Sequence, residues 1–357
     1  MANKLKVMDA HMNQIIESIT SLLSETLTII IYGSYGRNEG GWYNTIEDGY
    51  QPFNDYDIIL IKDNKIPTTI LSSLKKKLLE KINIKWIDLS QMTTVELTKL
   101  EPSIFNYDLK YGSNVIYGDL NVLDLIPRIE AKDIPLEDGN ILFKTRMWSF
   151  FGSLDETSFD RGVVGEDSRF FRNQMAKAVL SIVDVCLLQK GAYHYSYKQR
   201  VSSFKKLYSH KKELCALSEW ALSEKLEPKA PEMSKYEVES LYSNVHFYFL
   251  KEMFIVLSKR FKTIIRKPEK LILLWHYHPL ILFKRVAYFL YKRSMNFEDK
   301  IKIDIVQLYL ISAYKKGSIN RQYLTKANYL MKELDPSVSQ NLSWDKARLI
   351  VAKMRLN

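Results

Sequence analysis

The chain has 357 residues, a hydrophobic fraction of 46% and a formal net charge of +11. That length exceeds one ordinary compact core and predicts two domains. Two cysteines, Cys186 and Cys215, exclude a disulfide scaffold, and no apolar run is long enough to span a bilayer.

The N-terminal MANKLKVMDAHMNQ lacks the apolar core of a signal peptide, so a cytoplasmic protein with free thiols is expected. Residues 1–128 hold 13 Lys and Arg against 16 Asp and Glu, a net of −3; residues 129–357 hold 39 against 25, a net of +14. The basic part is either a solvated surface or suits an anionic partner: a nucleoside triphosphate, nucleic acid, a phosphorylated acceptor or an anionic membrane.

Residues 8–26 predict an amphipathic helix, with Ile15, Ile16, Ile19, Leu22 and Leu23 at helical spacing. Leu27–Tyr32 is apolar and β-branched, a buried strand. GSYGRNEGGW follows as a glycine-rich turn, and residues 41–54 read as a loop from their Gly, Pro, Asn and aromatic content. Asp55–Ile61 is a second strand, Pro67 opens a helix to about 81, and Ile82–Leu89 is a third strand. A short helix near 93–100 and a short strand at Asn114–Tyr117 complete this part. From about residue 137 helical periodicity dominates, predicting helices near 138–152, 169–190, 197–208, 211–225, 234–263, 271–293, 298–316, 320–334 and 343–355. The expected fold is α+β: a small mixed-sheet domain over 1–128, then an all-helical domain over 129–357.

Asp55 and Asp57 stand two positions apart at the head of the second strand, so both carboxylates face one side. That is a site for a hard divalent cation such as Mg²⁺. Asp88 on the next strand supplies a third carboxylate, and the Gly33-Ser34 turn offers backbone N–H groups and a hydroxyl to phosphate oxygens. Arg37 adds a planar donor fork for a phosphate. Asp63 and Asp108 are alternative third carboxylates. Two ions held by such a set clamp the attacking and leaving oxygens of an in-line displacement.

This ordered set resembles the polymerase-β-type nucleotidyltransferase superfamily: a Gly-Ser turn after the first strand, D-x-D on the second and a carboxylate on a neighbour. GSYGRNEG followed by NDYDIIL is similar to bacterial stand-alone nucleotidyltransferases with a GSxGRxEG turn. The resemblance covers roughly residues 25–120. It implies Asp55, Asp57 and Asp88 as metal-binding and catalytic residues, with Asp88 able to act as a base. Gly33, Ser34 and Arg37 would hold the nucleotide, ATP foremost. It implies two Mg²⁺ ions, replaceable by Mn²⁺, and an acceptor it does not identify, a small molecule or a protein. One departure is the 21-position interval from Ser34 to Asp55, read as an insertion that shapes the acceptor pocket or covers the nucleotide; its aromatics Trp42, Tyr43, Tyr50 and Phe53 either stack on a base or pack down. Two other readings stay open: an inactive nucleotide-sensing or partner-binding module, and an RNA-modifying or second-messenger synthase.

Outside this set, Arg172, Lys177 and Asp184 lie on one long predicted helix, where Asp184 either faces solvent or is a paired buried charge. Tyr107, Lys110 and Tyr111 either reach the nucleotide or pack. Residues 259–293 combine basic charge with LILLWHYHPLILF, a core helix with basic flanks or a membrane or nucleic-acid surface.

Overall fold

A computed structural model describes the whole chain except residues 1, 24–26, 46–48, 54, 83, 85, 280–296, 316 and 357. In chain order the first elements are α1 (Ala2–Thr20), β1 (Thr28–Tyr32), the single turn α2 (Gly33–Gly36), β2 (Trp42–Thr45), β3 (Gly49–Pro52) and β4 (Tyr56–Ile61). Next come α3 (Thr68–Ile82), β5 (Ile87–Met92), α4 (Thr94–Leu97), α5 (Ile104–Gly112) and β6 (Asn114–Tyr117). Helices α6 (Leu136–Arg146), α7 (Trp148–Phe151), α8 (Glu156–Arg161), α9 (Gly165–Leu188), α10 (Tyr197–Leu207), α11 (Lys212–Leu226), α12 (Lys235–Arg260) and α13 (Pro268–Tyr277) follow. The chain continues through α14 (Phe297–Ala313), a hairpin of β7 (Tyr314–Lys315) and β8 (Ser318–Ile319), α15 (Arg321–Leu334) and α16 (Trp344–Leu356). The protein is thus mixed, 64% helix and 11% strand, with a small mixed sheet near the N-terminus and many helices after it.

Two compact units emerge: residues 1–138 with 187–229, and residues 139–186 with 230–357. The sequence reading set one boundary at 128/129. The difference lies in residues 129–138 and 187–229, which join the first unit; the polar anchors of the latter segment are described below.

In the first unit the sheet order is β5-β4-β1-β6, with β1 antiparallel to β4 and β6, and β4 parallel to β5. Side chains alternate across it. Ile29, Ile31, Ile58 and Leu60 pack under α1 and α3 with Ile15, Ile19, Leu74 and Leu78. Ile30, Ile59 and Ile61 pack on the other face with Leu97, Leu109, Val122, Leu188 and Tyr193. Both faces are therefore covered, which is why β1 and β4 read as unbroken apolar runs rather than alternating ones.

Several predicted boundaries shift. Residues 41–54 are not simply a loop: β2 and β3 pair antiparallel from Trp42↔Pro52 to Thr45↔Gly49. The third strand begins at Ile87, not Ile82, because Ile82 is the buried last residue of α3. The first helix spans Ala2–Thr20 rather than 8–26, and α5, capped by the Ser103 hydroxyl accepting from the Asn106 N–H at 3.0 Å, occupies a stretch without a predicted element.

The second unit is a helical assembly with an aromatic core. Phe150 meets Phe249 and Tyr242 with ring centroids 4.9 and 5.7 Å apart, and the Trp344 indole N–H donates to the Leu310 carbonyl at 3.0 Å. The Lys144–Asp304 ion pair, 2.5 Å apart, ties α6 to α14. The predicted 138–152 helix is split into α6 and α7, and α8 was not foreseen. The predicted 271–293 helix begins at Pro268 and is seen to Tyr277; its remainder falls mostly outside the described residues. Among the described residues no helix is long and apolar enough to cross a membrane.

Candidate active site

The sheet register brings two of the predicted carboxylates side by side. Asp57 on β4 is the parallel partner of Asp88 on β5, and Tyr32, the last residue of β1, is the antiparallel partner of Asp57. Register partners share a sheet face, so these three side chains lie together. Asp55 sits just before β4, two residues from Asp57. Asp88 is exposed, while Asp55 and Asp57 are half-buried.

The electrostatics tie the group together. Burial raises the Asp57 carboxyl to about 7, reinforced by the like charges of Asp55 and Asp88; Lys225 and then Arg37 pull it back only in part. Burial also raises the Tyr32 phenol, again with Asp57, Asp88 and Asp55 adding their charge, so it stays neutral. Among the described residues no hydrogen-bond donor reaches the Asp57 carboxylate.

Gly33 closes the other side. Its φ of +66° lies in the left-handed region, and a Cβ there would overlap Oδ2 of Asp57. Only glycine lets the β1–α2 turn pass this close to the carboxylate. Ser34, next in the turn, is 6% exposed.

The remaining motif residues have other work. Nη1 of Arg37 donates to Oδ2 of Asp108 at 2.8 Å and to the Tyr195 carbonyl at 2.7 Å. Arg200 donates to the same two acceptors at 3.4 and 2.8 Å, and the Tyr193 hydroxyl donates to Asp108 at 3.1 Å. Both guanidinium groups lie over the Tyr197 ring, at 4.8 and 4.4 Å. Arg37 is thus held in a buried cluster and is not available as the expected phosphate fork. Glu39, 4% exposed, accepts from the N–H groups of Tyr197 at 2.6 Å and Lys198 at 3.1 Å and from the Ser196 hydroxyl at 2.8 Å. Its charge sits on the N-terminus of α10, where the helix dipole favours it. The second half of GSYGRNEG therefore anchors residues 193–200 to the sheet.

Neither alternative third ligand joins the carboxylates: Asp108 belongs to the arginine cluster, and Asp63 accepts from the Thr94 hydroxyl at 3.0 Å. The aromatics of the 41–54 segment pack down, Trp42 against Tyr35 at 5.6 Å and Tyr43 against Phe53 at 6.1 Å. Lys110 donates to the Ile126 carbonyl at 2.6 Å and Tyr111 to that of Ile129 at 3.0 Å, so both serve packing. Asp184 is buried at 7% exposure, not solvent-facing.

Lys225, near the end of α11 and 5% exposed, is the residue that sequence patterns missed. Its charge acts on Asp57 across 168 positions of chain. Only the burial of a lysine in helical register could have hinted at it.

An all-carboxylate donor set suits a hard cation. Asp57, held above its ordinary range by burial and then by its carboxylate neighbours, fits one as well, because a cation would favour its ionised form. Among the described residues, no group of three or more His, Cys, Asp or Glu side chains is already drawn together as a chelate. No family model matches the chain, and no curated protein matches it.

Proposed function

We propose that the protein is a metal-dependent nucleotidyltransferase that moves a nucleoside monophosphate from a nucleoside triphosphate to an acceptor hydroxyl or phosphate. The new bond joins the acceptor oxygen to the α-phosphorus; the bond from that phosphorus to the bridging oxygen breaks, and pyrophosphate leaves. The observation that carries this reading is the Gly33 turn pressed onto Asp57 while Asp57 faces Asp88 in register. A glycine turn and paired carboxylates then meet at one place.

Asp55, Asp57 and Asp88 would hold Mg²⁺, which supplies charge neutralisation at the transferring phosphoryl group. Asp88, exposed beside Asp57, is available to take the proton of an acceptor hydroxyl on a carboxylate oxygen. The Gly33-Ser34 turn presents backbone N–H groups to the phosphates. Lys225 contributes the positive charge that the sequence reading assigned to Arg37.

The test uses purified protein, Mg²⁺ and the four α-labelled nucleoside triphosphates, alone and with small-molecule extract, total RNA or desalted lysate. Label in an acceptor, pyrophosphate release and loss of both in Asp57→Asn are expected. Nucleotide binding that survives Asp57→Asn, without transfer by the wild type, would replace the reading with a nucleotide-sensing module.

A further inference from the structure

The second unit contains a cavity of about 900 Å³, within the range of small-molecule sites, about 300–1,000 Å³. Its long wall is one side of α12, where Phe247, Leu250, Phe254 and Ile255 face it. The loop into α13 adds Ile265 and Arg266, the end of α14 adds Ser312, and Tyr314, Lys315 and Tyr323 close it.

Three features distinguish it from a packing defect. The first is its charge. Lys251, Arg266 and Lys315 line it and all three are exposed, while none of its described lining residues is acidic. The nearby carboxylates accept from lining hydroxyls: Glu239 from Ser243 and Tyr314, each at 2.8 Å, and Glu269 from Tyr323. The second is a pair of buried hydroxyls. Tyr242, 1% exposed, and Ser312 line the cavity, and neither hydroxyl oxygen has a hydrogen-bond partner among the described residues. Such groups are costly to leave unmet and mark this wall as polar beneath its apolar surface. The third is the apolar wall, in which Phe247 and Ile255 remain 56% and 39% exposed.

We propose that this cavity binds an amphipathic organic anion: an apolar acyl or aromatic body ending in a carboxylate, phosphate or sulfonate. The body lies along the α12 wall. The anionic group is held by Lys251, Arg266 and Lys315. The neighbouring rings are stiffly braced, since Tyr242 stacks on His246 at 5.6 Å and His246 is fixed by the Ile311 carbonyl at 2.9 Å. Preformed walls of this kind reduce the ordering cost of binding. The site is independent of the carboxylate group on the sheet.

The test is fluorescence titration of the full chain with 8-anilinonaphthalene-1-sulfonate, followed by displacement with decanoate or the uncharged decanol. Expected are one saturable site, displacement by decanoate at concentrations at least tenfold below those of decanol, and loss of that difference in a Lys251→Gln/Arg266→Gln/Lys315→Gln variant. Those three side chains are exposed, so an unchanged melting temperature confirms that the variant is folded. Leu250→Trp, which narrows the cavity along the α12 wall, weakens saturable binding of the probe. Equal displacement by decanol, several weak sites, or probe and decanoate affinities unchanged in both variants would overturn the proposal.

Discussion

Two charged clusters in the sheet unit carry opposite lessons. Around Asp108 opposite charges meet: Arg37, Arg200 and Tyr193 converge on it, and Glu39 nearby takes donors from the start of α10. Around Asp57 burial and the like charges of Asp55 and Asp88 outweigh Lys225 and Arg37, and the carboxyl is raised to about 7. A satisfied buried cluster fixes architecture, because removing one partner strands another. A cluster of like charges beside a glycine turn costs stability, and that cost makes sense if a cation and a phosphate complete it. The short segment 33–39 feeds both clusters, Gly33 one and Arg37 and Glu39 the other.

The comparison can be broken at either cluster. The largest effect is expected from Asp57→Asn, which should lower nucleotidyl transfer by on the order of 10³-fold without lowering the melting temperature. If it unfolds the protein, the Asp57 cluster is structural. Arg37→Met should behave in the opposite sense. It strips Asp108 of its shortest ion pair and should cost about 3 kcal/mol in urea unfolding, with turnover of the folded fraction far less affected than in Asp57→Asn. Gly33→Ala combines a left-handed backbone with overlap on Asp57, so turnover should fall on the order of 10²-fold as the carboxylate is displaced. Glu39→Gln removes the charge at α10 and leaves one oxygen acceptor of two, turning the other into a donor that faces an N–H or hydroxyl, and about 2 kcal/mol of stability should be lost by thermal melting.

The smallest effect is a pH dependence. Asp57 binds its proton more tightly folded than unfolded, so its contribution to stability is present at low pH and declines as pH rises from its ordinary range through about 7. Asp57→Asn should therefore melt higher than the wild type at pH 8 without added cation, and equally at pH 4. A gap of the same size at both values would remove ionisation as the cause.

Much of the sheet unit was legible. The apolar runs at 27–32 and 55–61 and the glycine turn between them follow from period and composition, and Asp57 and Asp88 meet because parallel register pairs them. What escaped is non-local or short. The β2–β3 hairpin consists of four-residue strands rich in Gly, Pro and aromatics, which read as loop. Arg37 reads as a ligand residue because its partners Asp108 and Tyr195 lie 71 and 158 positions away. Lys225 gave no local signal at all, since a lysine's burial depends on what α11 packs against. The helical unit was legible as helices, but its cavity was not, because Phe247, Arg266 and Lys315 are brought together by tertiary packing alone.

The most direct test of the central claim is an NMR titration of the Asp57 carboxyl carbon, with and without Mg²⁺. The account predicts a titration midpoint near 7 in metal-free protein and a fall toward the ordinary carboxylate range as Mg²⁺ saturates, with Asp108 unresponsive to the ion. An Asp57 that titrates near 4 and ignores Mg²⁺ would contradict it: the carboxylates would not be an incomplete cation site, and the proposed chemistry would lose its footing.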